Sequence, residues 1–282
     1  MSVVDELSRS QFDLVYNSFS FVIASMLFTS IFLLVSMPRV LPRYRQALAI
    51  SAMVTGIATY HYFRILGNFA AAYVNDDPGA AGTFRVAEGV AFNEVYRYVD
   101  WLLTVPLLLV ETVAILALAQ DQARRLLVRL VPASALMIAL GYPGEVATDT
   151  LTRAVWGALS TIPFLFILWV LFGELTRSIE RQPAPVVRNI KNLRWVLVAS
   201  WGVYPIAYLF PMVGFDGADA FVARNVGYAV ADVVAKAVFG LLIYKIARKK
   251  SCYFDAAFAE RELGSSDAAA VARTDDAVPQ RV

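Results

Sequence analysis

Cysteine and histidine are almost absent from this chain of 282 residues, which has one of each, Cys252 and His61. That excludes a disulfide framework, zinc-ligand clusters and any metalloenzyme motif built on two histidines. Charge is sparse too, at 17% against the roughly one quarter usual in a soluble domain. Lys+Arg 25 against Asp+Glu 23 leaves a net charge of +2, so no global basic excess points to nucleic acid. No GxxxxGK[ST] phosphate loop occurs, which leaves no visible means of using ATP. What fills the chain instead is hydrophobic residues, 59% of it, with a mean hydropathy of +0.58. It reads as an integral membrane protein.

A bilayer core takes roughly 20 residues of helix, and seven apolar stretches reach or approach that length, at about 12–36, 44–74, 92–119, 126–142, 152–172, 193–213 and 222–246. The expected fold is therefore an all-α membrane protein, a seven-transmembrane-helix bundle, with its termini on opposite sides. The fourth stretch is short and carries Pro132. Basic residues crowd the first, third and fifth connectors and the C-terminal flank (Arg39, Arg43, Arg45; Arg124, Arg125, Arg129; Arg177, Arg181, Arg188; Lys245 and Arg248 to Lys250). The other side's loops hold Arg9, Arg85, Arg153 and Arg224 beside acids that include Asp76, Asp77, Glu88, Glu145 and Asp216. By the positive-inside rule the N-terminus is outside and the C-terminus cytoplasmic. Residues 1–11 lack a basic n-region and a cleavage site, so no removable signal peptide is expected. Residues 1–250 form one membrane domain without an internal repeat. Past Ser251 the composition turns to Ala, Asp, Ser and Arg without periodicity, which predicts a solvated, largely disordered tail over 251–282. Cys252 beside the last span reads as a free thiol, with acylation the alternative.

Ionisable groups inside a span are costly and mark function by default. The seventh span carries Asp232 and Lys236, four residues apart, and so on one face about 6 Å apart along the axis. Taken alone, the pair suits a structural ion pair as well as a working one. The third span carries Arg97, Asp100, Thr104 and Glu111. Asp100 and Glu111 fall within about 20° of alignment and roughly 16 Å apart along the axis. That is too far for contact and right for two stations on opposite sides of a central group. Asp100 has Arg97 nearby and is a ready proton acceptor, whereas Glu111 stands among apolar residues without a cation and is a ready donor. His61, the lone imidazole, is either a satisfied core residue or a partner that tunes a carboxylate. Trp201, Tyr204 and Tyr208 recur along one stripe of span six, and Trp156, Gly157, Ser160 and Thr161 sit on span five; both sets suit packing or a pocket wall. Pro106, Pro163 and Pro205 lie within spans, where membranes tolerate them.

These residues together resemble the microbial rhodopsins, seven-helix proteins that carry retinal on a lysine Schiff base, over most of 11–250. The resemblance implies that Lys236 is the attachment site for all-trans retinal and Asp232 its counterion. The array Arg97, Tyr98, Asp100, Trp101, Thr104, Pro106 and Glu111 is similar to the third helix of outward proton pumps of the proteorhodopsin and xanthorhodopsin groups, whose acceptor, threonine and donor positions read Asp, Thr, Glu. The sodium-pump and chloride-pump patterns are not present. His61 is similar to the histidine that pairs with the acceptor Asp. Trp101, Met137, Gly141, Trp156, Thr161, Trp201, Tyr204, Pro205 and Tyr208 match retinal-pocket positions, and Leu108 stands at the position that separates green from blue absorption, with Leu implying green. Gly157 resembles the glycine beside which xanthorhodopsin-like pumps admit a carotenoid antenna; the alternative is close helix packing. Where archaeal pumps carry an acidic release group this chain has Arg224, so no release residue follows. The resemblance implies a light-driven outward proton pump of the cell membrane, surrounded by lipid and assembled as a homo-oligomer, trimer or pentamer. The rival readings are a photosensory rhodopsin signalling through a transducer and a light-gated channel.

Overall fold

The computed structural model describes residues 4–75 and 82–265. Asp76, Asp77 and the tail beyond residue 265 lie outside the described residues. Seven rods cross the molecule: α1 Arg9–Val35, α2 Pro42–Ala72, α3 Val95–Leu116, α4 Gln120–Val146, α5 Thr150–Ile179, α6 Ala184–Leu209, and a seventh made of α7 Gly217–Asp232, a π-helical stretch Val233–Val238 and α8 Phe239–Phe254. Six rods are long and apolar enough to cross a membrane. The remaining one, α2, is 31 residues long but carries Ser51, Thr55, Thr59 and His61, all buried on the side that faces other helices, besides the exposed Arg64. The fourth rod is longer than the apolar run predicts: α4 passes through Pro132 and Pro143 without ending.

Local chemistry sets the rod ends. Ser8 and Gln11 form a reciprocal cap on α1, at 3.3 and 2.9 Å. The Asp149 carboxylate accepts from Thr152 N at 2.8 Å and starts α5. Residue Ala117 turns left-handed, with φ 53°, and closes α3, while the buried Lys250 ammonium donates to Ile115 O at 2.8 Å. One end of the bundle also carries a small sheet that no apolar run announces. Strands β1 Glu6–Ser8, β2 Tyr73–Asn75 and β3 Thr83–Val86 pair antiparallel in the order β1-β3-β2, with Leu7 opposite Phe84. Phe84 stacks on Phe12 with centroids 3.8 Å apart, which ties the sheet to α1.

At the opposite end the predicted tail begins later than Ser251. Helix α8 runs to Phe254, and α9 Ala256–Leu263 follows, capped by Asp255 accepting from Phe258 N at 2.9 Å. Phe258 and Ala259 bury against Cys252, and Glu262 reaches Arg39 and Arg248 at 3.1 and 3.6 Å. Cys252 is thus a buried free thiol. Three charges assigned to loops need correction as well. Glu145 lies in the last turn of α4, Arg153 in the first turn of α5 and Arg224 inside α7, all buried.

Candidate functional site

The charge pair on the seventh rod and the acid stripe on α3 converge. Lys236 is 1% exposed. Its Nζ donates to Asp100 Oδ2 and lies 3.2 Å from Asp232 Oδ1. The π-helical stretch Val233–Val238 contains this lysine, and such a local widening of the helix is frequent at functional sites. Two tyrosines complete the shell of Asp232: Tyr62 donates to Oδ2 at 2.8 Å and Tyr204 to Oδ1. Arg97 is buried one turn from Asp100, donating to Tyr62 Oη at 3.2 Å and to Asn225 Oδ1 at 2.8 Å, with its guanidinium over the rings of Phe19, Tyr62 and Tyr228. One buried amine therefore faces two carboxylates, and one guanidinium closes the same network.

Glu111 stands apart, fully buried nearer the other end of α3. Ser51 on α2 donates to its Oε2, and Oε1 has no partner among the described residues. The close approach of α8 that shuts this side uses Gly240, where a Cβ would meet Leu33 Cδ1 at 3.1 Å and Ser51 Cβ at 3.4 Å.

Beside Lys236 runs a cavity of about 870 Å³ including its open mouth. Among the predicted pocket residues, Trp101, Leu108, Met137, Gly141, Gly157, Thr161, Trp201, Tyr204, Pro205 and Tyr208 all line it. The structure adds Tyr98, Val105, Phe164 and Tyr228. Trp101 packs edge-on against Tyr204 with centroids 4.9 Å apart. A long, largely apolar slot walled by rings and starting at a buried primary amine fits a polyene aldehyde such as retinal, with Lys236 the residue to hold it.

Two expectations are not met by the contacts. Trp156 is not among the lining residues; its Cβ faces Gly144 of α4, so it packs between α4 and α5. His61 is buried, but no hydrogen bond joins it to Asp100 and its Nδ1 has no partner among the described residues; its nearest ring is Tyr60, on the outer side of α2. Thr104, at the family's threonine position, donates to Asp100 O of its own helix at 2.8 Å. Ser51, Tyr62 and Asn225 were not singled out in the sequence. Tyr62 follows His61 directly in an aromatic run, the one local signal available; Ser51 and Asn225 carry none.

Comparison with known proteins agrees with this geometry. In the solved structures, xanthorhodopsin, described as a light-driven ion pump with dual chromophore, superposes with a TM-score of 0.82 at 45% identity, covering 88% of this chain and 97% of that one. A thermophilic rhodopsin gives 0.81 and 45%, covering 88% and 98%. A green-light absorbing proteorhodopsin from a gamma-proteobacterium is 32% identical over 83% of this chain and 86% of its own length, and bacteriorhodopsin of Halobacterium salinarum 33% over 81% and 80%. The family model for bacteriorhodopsin-like protein matches residues 14–250. Fold and sequence thus agree along nearly the whole bundle, and the chain belongs to the bacteriorhodopsin-like family, the microbial rhodopsins.

Proposed function

We propose that this protein is a light-driven outward proton pump with retinal held on Lys236, building a proton-motive force. It is a multi-pass protein of the cell membrane and an ion transporter rather than an enzyme. The observation that carries the reading is the placement of three acids relative to one buried amine: Asp100 and Asp232 in contact with Lys236 Nζ, and Glu111 isolated further along the same helix as Asp100. When bound, retinal supplies light absorption and a change of shape beside Nζ. Lys236 Nζ holds a proton between its two carboxylates. A unit charge pair about 4 Å apart at an effective dielectric of about 20 is worth roughly 4 kcal/mol, about three pKa units, so disturbing the pairing strongly weakens the hold of Nζ on the proton that passes to Asp100. Glu111, whose Oε2 accepts from Ser51 and whose Oε1 has no partner among the described residues, then resupplies Nζ. Tyr62 and Tyr204 hold Asp232 in place throughout, with Arg97 bonded behind Tyr62.

Direction comes from charge distribution. The basic connectors put the α9 end in the cytoplasm and the sheet end outside, so Asp100 faces outward and Glu111 inward. Moving one charge against 100 mV requires roughly 2.3 kcal/mol, and light is the energy source in reach. A photosensory receptor has no need of an inner donor, and Glu111 is retained here with a hydrogen-bonded seat. A carotenoid antenna beside Gly157 is the finer part of the proposal: Thr161, on the slot wall, is exposed at the bundle surface, so the slot opens laterally there. Small-residue faces and the family resemblance support a homo-oligomer, trimer or pentamer. Illuminating cells that express the protein while following external pH tests the central claim. Acidification abolished by a protonophore is expected; a photocycle with no steady proton movement would favour the sensor.

A further inference from the structure

Between the Lys236 site and the sheet end lies a buried layer of four charges that the proposed pump cycle leaves unused. Glu94 immediately precedes α3, Glu145 ends α4, Arg153 begins α5 and Arg224 is on α7, and each is less than a tenth exposed. Arg224 Nη2 lies 2.9 Å from Glu94 Oε1, and its Nη1 3.4 Å from Glu145 Oε1. Arg153 Nη1 stands 4.0 Å from Glu145 Oε2 and makes no hydrogen bond, while its Nη2 donates to Glu145 O at 3.1 Å. Two acids and two guanidiniums balance in charge, but the two acids are not held alike. Glu94 has one short charge-assisted bond at the N-terminal end of α3, where the helix dipole favours a carboxylate. Glu145 has only long contacts.

The looser acid is also the one wired to the chromophore slot. Tyr98, on the slot wall, donates to Glu145 Oε2 at 3.5 Å. Tyr208, on the same wall, donates to Arg153 O at 2.7 Å. Tyr228 is a third wall residue within electrostatic reach of Glu145, and Asn225, adjacent to Arg224, receives Arg97. Glu94 sits six residues before Asp100, roughly 9 Å nearer the sheet end, so a proton leaving Asp100 for that end crosses this layer.

We infer that Glu145 is the exit station of the pump, the carboxylate that takes the proton from Asp100 and passes it to the outer medium. The inference rests on the outward-pump reading. The O–H bond of protonated Asp100 breaks as its proton passes to water, and a relay of water protons ends in a new O–H bond on Glu145, so that one bond is lost and one gained. The layer then carries one excess positive charge, and Arg153 and Arg224 drive the proton off to external water, restoring two carboxylates and two cations. The expected result for Glu145→Gln is that proton transfer from Lys236 Nζ to Asp100 keeps its rate while the proton reaches the outer medium roughly tenfold later or more, followed with a membrane-impermeant pH dye after a flash. Glu145→Asp restores prompt appearance. Infrared difference spectra of the parent contain a carboxyl band distinct from those of Asp100 and Glu111, which shifts in Glu145→Asp. If Glu145→Gln yields no pigment, that band shift decides alone. Unaltered proton appearance in Glu145→Gln, or no band that responds to Glu145→Asp, overturns the inference while leaving the pump intact. Absence of net acidification by the parent removes the pump reading and this inference together.

Discussion

The two halves of the bundle meet at Lys236 and follow opposite plans. Toward the sheet end buried polar groups are dense: Asp100 and Asp232 on the amine, Tyr62 and Arg97 behind them, Asn225 accepting from Arg97, and, starting at the residue before Asn225 on α7, the separate layer of Arg224, Glu94, Glu145 and Arg153. Toward the α9 end the α3 stripe carries a single acid, Glu111, with one hydroxyl, and the other buried charges on that side, Glu174 beside Gln122 and Lys250 on Ile115 O, sit close to the rod ends. Closely spaced buried polar groups polarise one another and offer a moving proton several partners. A solitary buried acid offers one resting place, and transfer from it waits for the surroundings to rearrange. The asymmetry suits a device in which protons leave on one side and are held in reserve on the other.

The most drastic way to break this comparison is to remove the group that joins the halves. Lys236→Ala is expected to give a protein with no retinal-linked visible absorption, and a retained visible pigment after retinal addition overturns the attachment site. A narrower break targets the reserve. Glu111→Gln keeps shape and removes the proton, so return of the amine's proton after a flash should slow by roughly 10²-fold, the scale of a lost acid-base group. Ser51→Ala leaves the acid but removes its seat, and the same decay should shift only a few-fold, the worth of one hydrogen bond of about 1 kcal/mol. Equal effects of the two substitutions, read by the decay of the flash-induced absorbance change, would mean that Ser51 carries the proton rather than positions Glu111.

These contrasts were only partly legible beforehand. Asp100 with Glu111 and Asp232 with Lys236 stand out because each pair lies on one helix, where 3.6 residues per turn converts spacing into a shared face. Partners on other rods give no such signal. Tyr62 reaches Asp232 across 170 positions and Arg224 reaches Glu94 across 130, and a tyrosine or glutamate near a span end looks the same whether it faces solvent or a buried arginine. For that reason Glu145, Arg153 and Arg224 read as loop charges and fold as a buried layer. The sheet escaped notice because its strands are three or four residues long, below any periodicity. Helix α9 escaped because Ala-rich composition hid Phe258, its one large buried anchor.

The gentlest test concerns glycine, and it asks whether the sheet-end half depends on close packing as well as on charge. Tyr208 links the slot to Arg153 and lies in a notch made by two glycines. A Cβ on Gly144 would come 1.9 Å from Tyr208 Oη and 2.9 Å from Trp156 Cβ, and one on Gly157 2.6 Å from Tyr208 Cε1. At Gly144 relief requires both the tyrosine and the α5 backbone carrying Trp156 to move. At Gly157 the tyrosine ring alone must yield. Gly144→Ala should therefore cost about 1–3 kcal/mol, the usual penalty of overpacking, and lower the temperature at which the visible pigment bleaches, with Gly157→Ala doing so less. The same ring contact gives Gly157 a packing role independent of a carotenoid. If Gly157→Ala is the more damaging of the two only when a carotenoid is supplied, the antenna accounts for the glycine; if Gly144→Ala is harmless, Tyr208 is free to leave its notch and the link from slot to Arg153 does not hold the outer half together.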